Sequence, residues 1–176
     1  EVYPECFLTL SSELSREYRE YERTLSTCLN TALMPALTRY VNQLSGAIAE
    51  TGGNAALFVM QSNGGLVPDA DVASQPIKAV LSGPAAGVLA ACTFGQVAGE
   101  PDLITLDMGG TSTDICLVED GRPHMLAEGK IEHYNIKTPM VDITTLGAGG
   151  GSIATIVGNN SLRVGPQSAG ASPGPA

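Results

Sequence analysis

Two short apolar runs, Leu103-Ile104-Thr105-Leu106 and Ile115-Cys116-Leu117-Val118, flank the octapeptide Asp107-Met-Gly-Gly-Thr-Ser-Thr-Asp114. Runs of this length around a glycine-containing turn predict a β-hairpin. Gly109 and Gly110 lack a Cβ, so the backbone there can turn sharply and approach a ligand closely. Thr111, Ser112 and Thr113 add hydroxyl groups beside the exposed amides, and a concave run of donors suits phosphate oxygens. Asp107 closes the first run and Asp114 opens the second. A carboxylate beside a phosphate is repelled by it unless a hard divalent cation lies between them, as Mg²⁺ does when it joins one or two carboxylates, waters and phosphates. The stretch therefore predicts a Mg-nucleotide phosphate loop between two strands, although the same residues also suit an ordinary tight hairpin.

The rest of the chain alternates helical and strand-like patterns, which predicts an α/β fold. From Thr24 to Glu50, Leu25, Leu29, Leu33, Leu37, Val41, Leu44 and Ile48 recur every three or four residues, the pattern of an amphipathic helix with one core face. Pro35 lies inside that pattern and predicts a kink or break near Leu33–Pro35, with Gly52-Gly53 as the C-terminal stop. Upstream, Phe7–Leu10 reads as a short strand, and Ser15 as the cap of a short helix. Ala55–Gln61 reads as a short buried strand followed by the turn Ser62-Asn63-Gly64-Gly65. Asp69–Gln75 suits a short helix stopped by Pro76, and Ile77–Leu81 another strand. Ser82-Gly83-Pro84 opens an Ala- and Gly-rich helix running to about Val97, with Gly99 after it. Asp120-Gly121 predicts a turn into a third antiparallel strand over Arg122–Glu128. Ser152–Val157 and Leu162–Val164 pair about the turn Gly158-Asn159-Asn160. Gly165–Ala176, with three Pro and three Gly, reads as a loop.

Asp107–Asp114 resembles the second phosphate motif of the hydantoinase A / 5-oxoprolinase (N-methylhydantoinase A) family. Further stretches resemble family signatures in family order: Ser12-Glu13, Arg19–Thr24, Met60–Gly65, Leu81–Gly87, Gly147–Ala154, and Leu162–Pro166 with Ser168–Ala176. The resemblance implies an incomplete lobe of the actin-like ATPase fold, the ribonuclease H-like superfamily of sugar kinases, actin and heat-shock ATPases. It places a single fragment of the hydantoinase A domain over residues 1–176. Residues 1–99 form its mainly helical or α/β part, with a hinge-type helix over 84–98. Residues 100–164 form a β-rich nucleotide-binding part, and 165–176 a loop. It also implies a missing N-terminal lobe of the same chain and a hydantoinase B-type subunit or domain as partner.

ATP and Mg²⁺ are the cofactors the resemblance implies. The expected phosphate contacts are Gly109, Gly110, Thr111 and Thr113, with Gly149, Gly150 and Gly151 of the glycine run beside the nucleotide. Asp107 is expected to hold Mg²⁺ directly or through water, and Asp114 to brace the loop or a metal-bound water. Gln61, Ser62, Asn63, Gly64 and Asp142 are candidate substrate-cleft residues. The implied activity is ATP-dependent opening of a cyclic amide, a hydantoin or 5-oxoproline, through a phosphorylated amide. The alternatives are an ATP-dependent ketone carboxylase subunit and a non-catalytic, nucleotide-dependent conformational switch. Many members carry His in a pattern like Asp-Ile-His-Thr, where this chain has Thr144. No catalytic role is assigned to Arg19, Glu20 or Arg23.

The chain has 176 residues and a net charge of −9, so neither nucleic acid nor an anionic membrane surface is an expected partner. The cysteines Cys6, Cys28, Cys92 and Cys116 are far apart and form no C-x-x-C pair. They read as reduced and structural, which with the absence of a signal-like or spanning segment suggests a cytoplasmic protein. The ends, Glu1 and Pro-Gly-Pro-Ala176, suggest a piece of a longer chain. Gly-x-Gly-Gly-Gly at 147–151 lacks the Lys-Ser/Thr of a Walker loop and the acidic partner of a dinucleotide site. His124 and His133 stand nine apart without further ligands beside them, a spacing that suits no common metal site. No Gly-x-Ser-x-Gly elbow is present to support a serine hydrolase.

Overall fold

The computed structural model describes residues 6–52, 55–131, 134–172 and 174. In chain order the elements are α1 (Ser11–Leu14), α2 (Glu20–Glu50), β1 (Phe58–Met60), β2 (Leu66–Pro68), α3 (Asp69–Val72), a 3₁₀ turn (Pro76–Ala79) and α4 (Ser82–Ala98). They continue with β3 (Leu103–Met108), β4 (Thr113–Glu119), β5 (Arg122–Pro123), β6 (Met125–Leu126), β7 (Gly129–Ile131), β8 (Tyr134–Ile136) and β9 (Met140–Val141). β10 (Thr144–Leu146), β11 (Ser152–Val157) and β12 (Ser161–Ser168) complete the chain. Two compact units result: Glu1–Ala86 with Met125–Val141, and Gly87–His124 with Asp142–Ala176. The boundary between the units lies inside α4, and residues 125–141 return to the first unit. No helix among the described residues is long and apolar enough to cross a membrane.

The first unit is built on α2. Leu14, Ile77, Ile136 and Met140 form its buried cluster, with Leu29 and Leu33 of α2 packed against it. Ile77 and Ile136 are fully buried. Each such side chain contributes about 1.5–3 kcal/mol of transfer free energy. The buried Asn30 amide donates to Thr9 Oγ1 (2.9 Å) and the Ser74 carbonyl (3.0 Å), while its Oδ1 accepts from the Ile77 amide (3.2 Å). Every polar atom of that side chain thus has a partner, as burial requires. The helix runs without interruption through Pro35 and begins at Glu20. Pro35 removes one backbone bond, but tertiary packing of the rows before and after it holds the two halves as one helix.

Several local expectations are corrected in this unit. Phe7–Leu10 forms no strand, and its Phe7 and Leu8 side chains are exposed. Ser15 ends α1 rather than capping a following helix. The strand expected over 55–61 is only Phe58–Met60, paired antiparallel with β2 and exposed at Phe58. Ile77–Leu81 is not a strand: Pro76 opens a 3₁₀ turn, a position where its fixed φ and missing N–H fit. Cys6 and Cys28, read as structural, are exposed, and all four cysteines are free.

Lys137 ties distant segments of this unit. Its side chain is 7% exposed, and its Nζ bonds Glu17 Oε2 at 2.7 Å and Glu128 Oε1. The Lys137 hydrogen bond holds the Glu128 carboxyl below the usual range, and Glu128 and Glu17 raise the lysine. Arg19 and Arg23 shape the turn into α2. Arg19 adopts φ 78°, and Arg23 Nη1 donates to the Glu17 carbonyl at 3.4 Å.

The second unit holds the predicted hairpin. β3 and β4 pair antiparallel from Leu103↔Val118 to Met108↔Thr113, and β10 pairs with the other edge of β4. Leu103, Thr105 and Asp107 share a sheet face with Val118, Cys116 and Asp114, because alternate residues point to one side. The part of α4 in this unit lies along that face. A Cβ on Gly95 would stand 2.5 Å from Leu103 Cδ2 and 2.7 Å from the Glu100 carbonyl oxygen, so only glycine allows the approach. Val88, Cys92, Cys116 and Val118 are buried there. Burial pushes the Cys92 and Cys116 thiols up, and the Asp142 carboxylate adds to the effect at Cys116.

The Asp120-Gly121 turn forms as expected, with φ of 51° and 71°. The strand after it does not run to Glu128. It stops at Pro123, and Met125–Leu126 pair with β9 in the first unit. Pro123 has no N–H to continue a ladder. β11 and β12 form the expected hairpin, but β12 reaches Ser168, into the segment expected to be loop. Pro166 is tolerated because a two-stranded ribbon has open edges that need no donor.

Candidate functional site

The four-residue connection Gly109–Ser112 is set by the strand register. Asp107 and Asp114 are direct cross-strand partners, so their carboxylates project from the same face at the mouth of the turn. Like charges in that relation are unfavourable by themselves. Asp107 Oδ2 lies 4.0 Å from the place a Cβ would occupy on Gly87 of α4. Within the turn the Gly109 amide donates to the Ser112 carbonyl at 2.9 Å. Among the described residues, the amides of Gly110, Thr111 and Ser112 donate to no protein acceptor. Three consecutive amides thus remain as donors beside two carboxylates. Neither Gly109 nor Gly110 has a positive φ, and a Cβ on Gly110 would meet nothing within 4 Å. The turn itself does not demand glycine at 110. Its absent side chain instead keeps the surface open.

The glycine run packs directly against the turn. The Gly150 amide donates to the Gly109 carbonyl at 2.9 Å, and the Gly151 amide to the Gly110 carbonyl at 2.7 Å. The Gly149 amide donates to Ser152 Oγ at 2.8 Å. All three amides expected beside a nucleotide are therefore engaged within the protein, and two of them hold the carbonyl side of the turn. Holding the carbonyls on one side leaves the free amides on the other. Thr113 is 3% exposed and donates its hydroxyl to the Ala148 carbonyl at 2.6 Å, so it too ties the turn to the glycine run. Thr111 and Ser112 keep their hydroxyls without a protein partner among the described residues.

Gln61–Gly64 belong to the first unit, whereas this turn belongs to the second. Ser62 is 2% exposed. Its hydroxyl lies 2.7 Å from the Lys78 carbonyl and 2.5 Å from that of Val80, and its carbonyl accepts from the Val141 amide at 2.9 Å. Ser62 is a latch between backbone segments and not an open cleft residue. Asn63 Oδ1 accepts from the Gly65 amide at 2.8 Å, and Gly64 has φ 83°, which makes the stretch a self-bonded turn. Asp142 lies in the second unit, its amide donating to the His124 carbonyl at 2.9 Å, and its charge acts on Cys116. His124 Nε2 pairs with Glu119 Oε2 at 2.7 Å, and His133 lies outside the described residues. One residue escaped the sequence reading altogether: Thr145 of β10, whose hydroxyl donates to Asp114 Oδ1 at 2.5 Å. No local pattern marks it, because 31 residues separate the partners.

Facing carboxylates, free amides and an open glycine surface form a donor set for a phosphate chain carrying a hard cation. The chain is 40% identical over 172 residues to caprolactamase subunit alpha of Pseudomonas jessenii, covering 98% of this chain and 25% of that one. It is 38% identical over 170 residues to 5-oxoprolinase of Saccharomyces cerevisiae, covering 96% of this chain and 13% of the relative. The solved ATP-dependent caprolactamase from P. jessenii superposes with a TM-score of 0.82 over 99% of this chain and 25% of its own. Nucleotide-free acetone carboxylase superposes with a TM-score of 0.74 at 28% identity, over 91% of this chain and 22% of its own. The chain thus spans a quarter or less of the length of these relatives. Residues 23–176 match the family described as Hydantoinase/oxoprolinase, and the chain belongs to that family.

Proposed function

We propose that this chain is the nucleotide-phosphate portion of an enzyme that uses MgATP to open a cyclic amide. The carrying observation is the turn Gly109–Ser112, with three unengaged amides between the facing Asp107 and Asp114. The amides of Gly110, Thr111 and Ser112, with the Thr111 hydroxyl, would receive phosphate oxygens. Gly149–Gly151 and Thr113 act behind the turn as its brace. Asp107 would hold Mg²⁺ directly or through water, and Asp114 would fix the water shell. When bound, Mg²⁺ neutralises phosphate charge that the two carboxylates would otherwise repel. The fold is read as an actin-like ATPase lobe, completed by further parts of the same protein and by a hydantoinase B-type partner. The free cysteines and the use of MgATP fit action in the cytoplasm.

The chemistry needs ATP for a plain reason. An unstrained lactam is a poor electrophile. Phosphorylating its amide oxygen activates the ring carbon, water adds there, and the C–N bond breaks with the nitrogen leaving as a protonated amine. A second water hydrolyses the resulting acyl phosphate to carboxylate and phosphate. The protein's part is mainly positioning and charge stabilisation. Relatives named caprolactamase and 5-oxoprolinase support a cyclic amide substrate. The likeness to acetone carboxylase supports a second reading, in which ATP activates a ketone and bicarbonate.

ADP release by the full-length protein with MgATP separates these readings. The panel is 5-oxoproline, hydantoins, caprolactam, and a ketone with bicarbonate. Stimulation by a cyclic amide is expected. Stimulation only by ketone with bicarbonate would replace the amide reading with the carboxylase. ATP binding without stimulation by any of them would indicate a conformational switch. Full ATP-dependent turnover by Asp107→Ala would remove Asp107 from its assigned role.

A further inference from the structure

The row of residues across β10, β4 and β3 at the mouth of the turn is Thr145, Asp114, Asp107. Direct partners in successive antiparallel strands place all three side chains on one sheet face. Thr145 Oγ1 donates to Asp114 Oδ1 at 2.5 Å. One oxygen of Asp114 is thereby occupied from the side away from Asp107, and the rotamer of the carboxylate is fixed by a β-branched residue that is itself stiff at χ1. Asp107 has no such side-chain donor among the described residues. The pair is therefore asymmetric: one carboxylate is pinned and the other is free.

We infer that Thr145 is a positioning residue for metal-nucleotide binding, holding Asp114 so that its remaining oxygen faces the ground shared with Asp107. This rests on the reading of the turn as a Mg-nucleotide site. The physical basis is general. A ligating or water-holding carboxylate that is itself hydrogen-bonded loses less freedom on binding, and removing such an outer partner typically weakens metal affinity about 10–100-fold.

The test is nucleotide-dependent Mn²⁺ binding by the full-length protein, read by electron paramagnetic resonance with a non-hydrolysable ATP analogue. Thr145→Val keeps the β-branched shape and the strand but removes the hydroxyl, and Thr145→Ser restores it. The expected result is about tenfold weaker Mn²⁺ affinity in Thr145→Val and recovery to within about twofold in Thr145→Ser. Affinity for the metal-free analogue should stay unchanged, which a loosened fold would not allow. Wild-type Mn²⁺ affinity in Thr145→Val would overturn the role of Thr145 and leave the site reading standing. Absence of nucleotide-dependent Mn²⁺ in the wild-type protein would overturn the site reading, and the role of Thr145 with it.

Discussion

An alanine methyl at position 149 would stand 2.5 Å from the Gly109 carbonyl oxygen and 2.7 Å from the Thr111 amide nitrogen, both backbone atoms. A methyl at position 110 would meet nothing within 4 Å. The two glycines therefore differ: the protein itself demands glycine at 149, whereas at 110 the demand comes from the ligand that the proposed function places there. Gly149→Ala should lower stability by about 1–3 kcal/mol, as overpacking does, and displace the turn. Gly110→Ala should leave stability within about 0.5 kcal/mol of wild type and weaken MgATP binding at least tenfold. Urea unfolding and titration with a fluorescent nucleotide read both quantities. A Gly110→Ala variant that binds MgATP normally would show that phosphates do not approach that face. The sequence already disclosed a hairpin with Asp107 and Asp114 at the turn ends of its strands, because two apolar runs of similar length flank one glycine-containing turn. It could not disclose which donors remain free. That depends on residues 147–151 and 145 returning to the turn from over 30 positions away, through strand pairing that no local pattern encodes.

At the scale of elements, periodicity located α2 and α4, whose apolar and small-residue patterns extend over many turns. It failed for short segments. Residues 77–81 and 122–128 carry strand-like composition, yet Pro76 and Pro123 decide their backbone, and tertiary partners decide the rest. The segment between α1 and α2 is held by Glu17 on Lys137, which also holds Glu128 just before β7. This arrangement has a pH signature. Glu128 has a folded-state pKa below its ordinary value, so its stabilising effect is complete above that ordinary value and is lost as pH falls through the folded value. Lys137 is raised, so its contribution is complete at neutral pH and is lost only in strong alkali. Glu128→Gln should therefore lower the urea midpoint at pH 7. It should also flatten the fall in stability below about pH 4.5, where a normal glutamate begins to protonate. A variant whose stability falls as steeply with acid as wild type would show that Glu128 does not carry this dependence.

At the scale of the whole molecule, sequence order and spatial units part company. The chain enters the second unit at Gly87, returns to the first for Met125–Val141, and leaves it again at Asp142. The parts that the family resemblance implied, 1–99 and 100–164, follow where helices give way to strands and not where the chain returns. The return segment is not a decoration of the first unit. It supplies Ile136 and Met140, which are 0% and 4% exposed, to the cluster that Leu14 and Ile77 complete. It also supplies Lys137, whose amide donates to Ser26 Oγ of α2 at 3.0 Å. Removing one buried aliphatic side chain from such a core costs about 2–5 kcal/mol, against a total stability of about 5–15 kcal/mol for a typical domain. Removing the whole segment takes away two core side chains and the lysine clamp together, more than a unit of this size can lose. A chain ending at Ala86 should accordingly show no cooperative thermal transition, whereas one ending at Val141 should show it, by circular dichroism and by dispersion of methyl resonances. Cooperative unfolding of the shorter chain would mean that α2 and its immediate neighbours form a self-sufficient core. Residues 125–141 would then be an addition to the first unit instead of its closing layer.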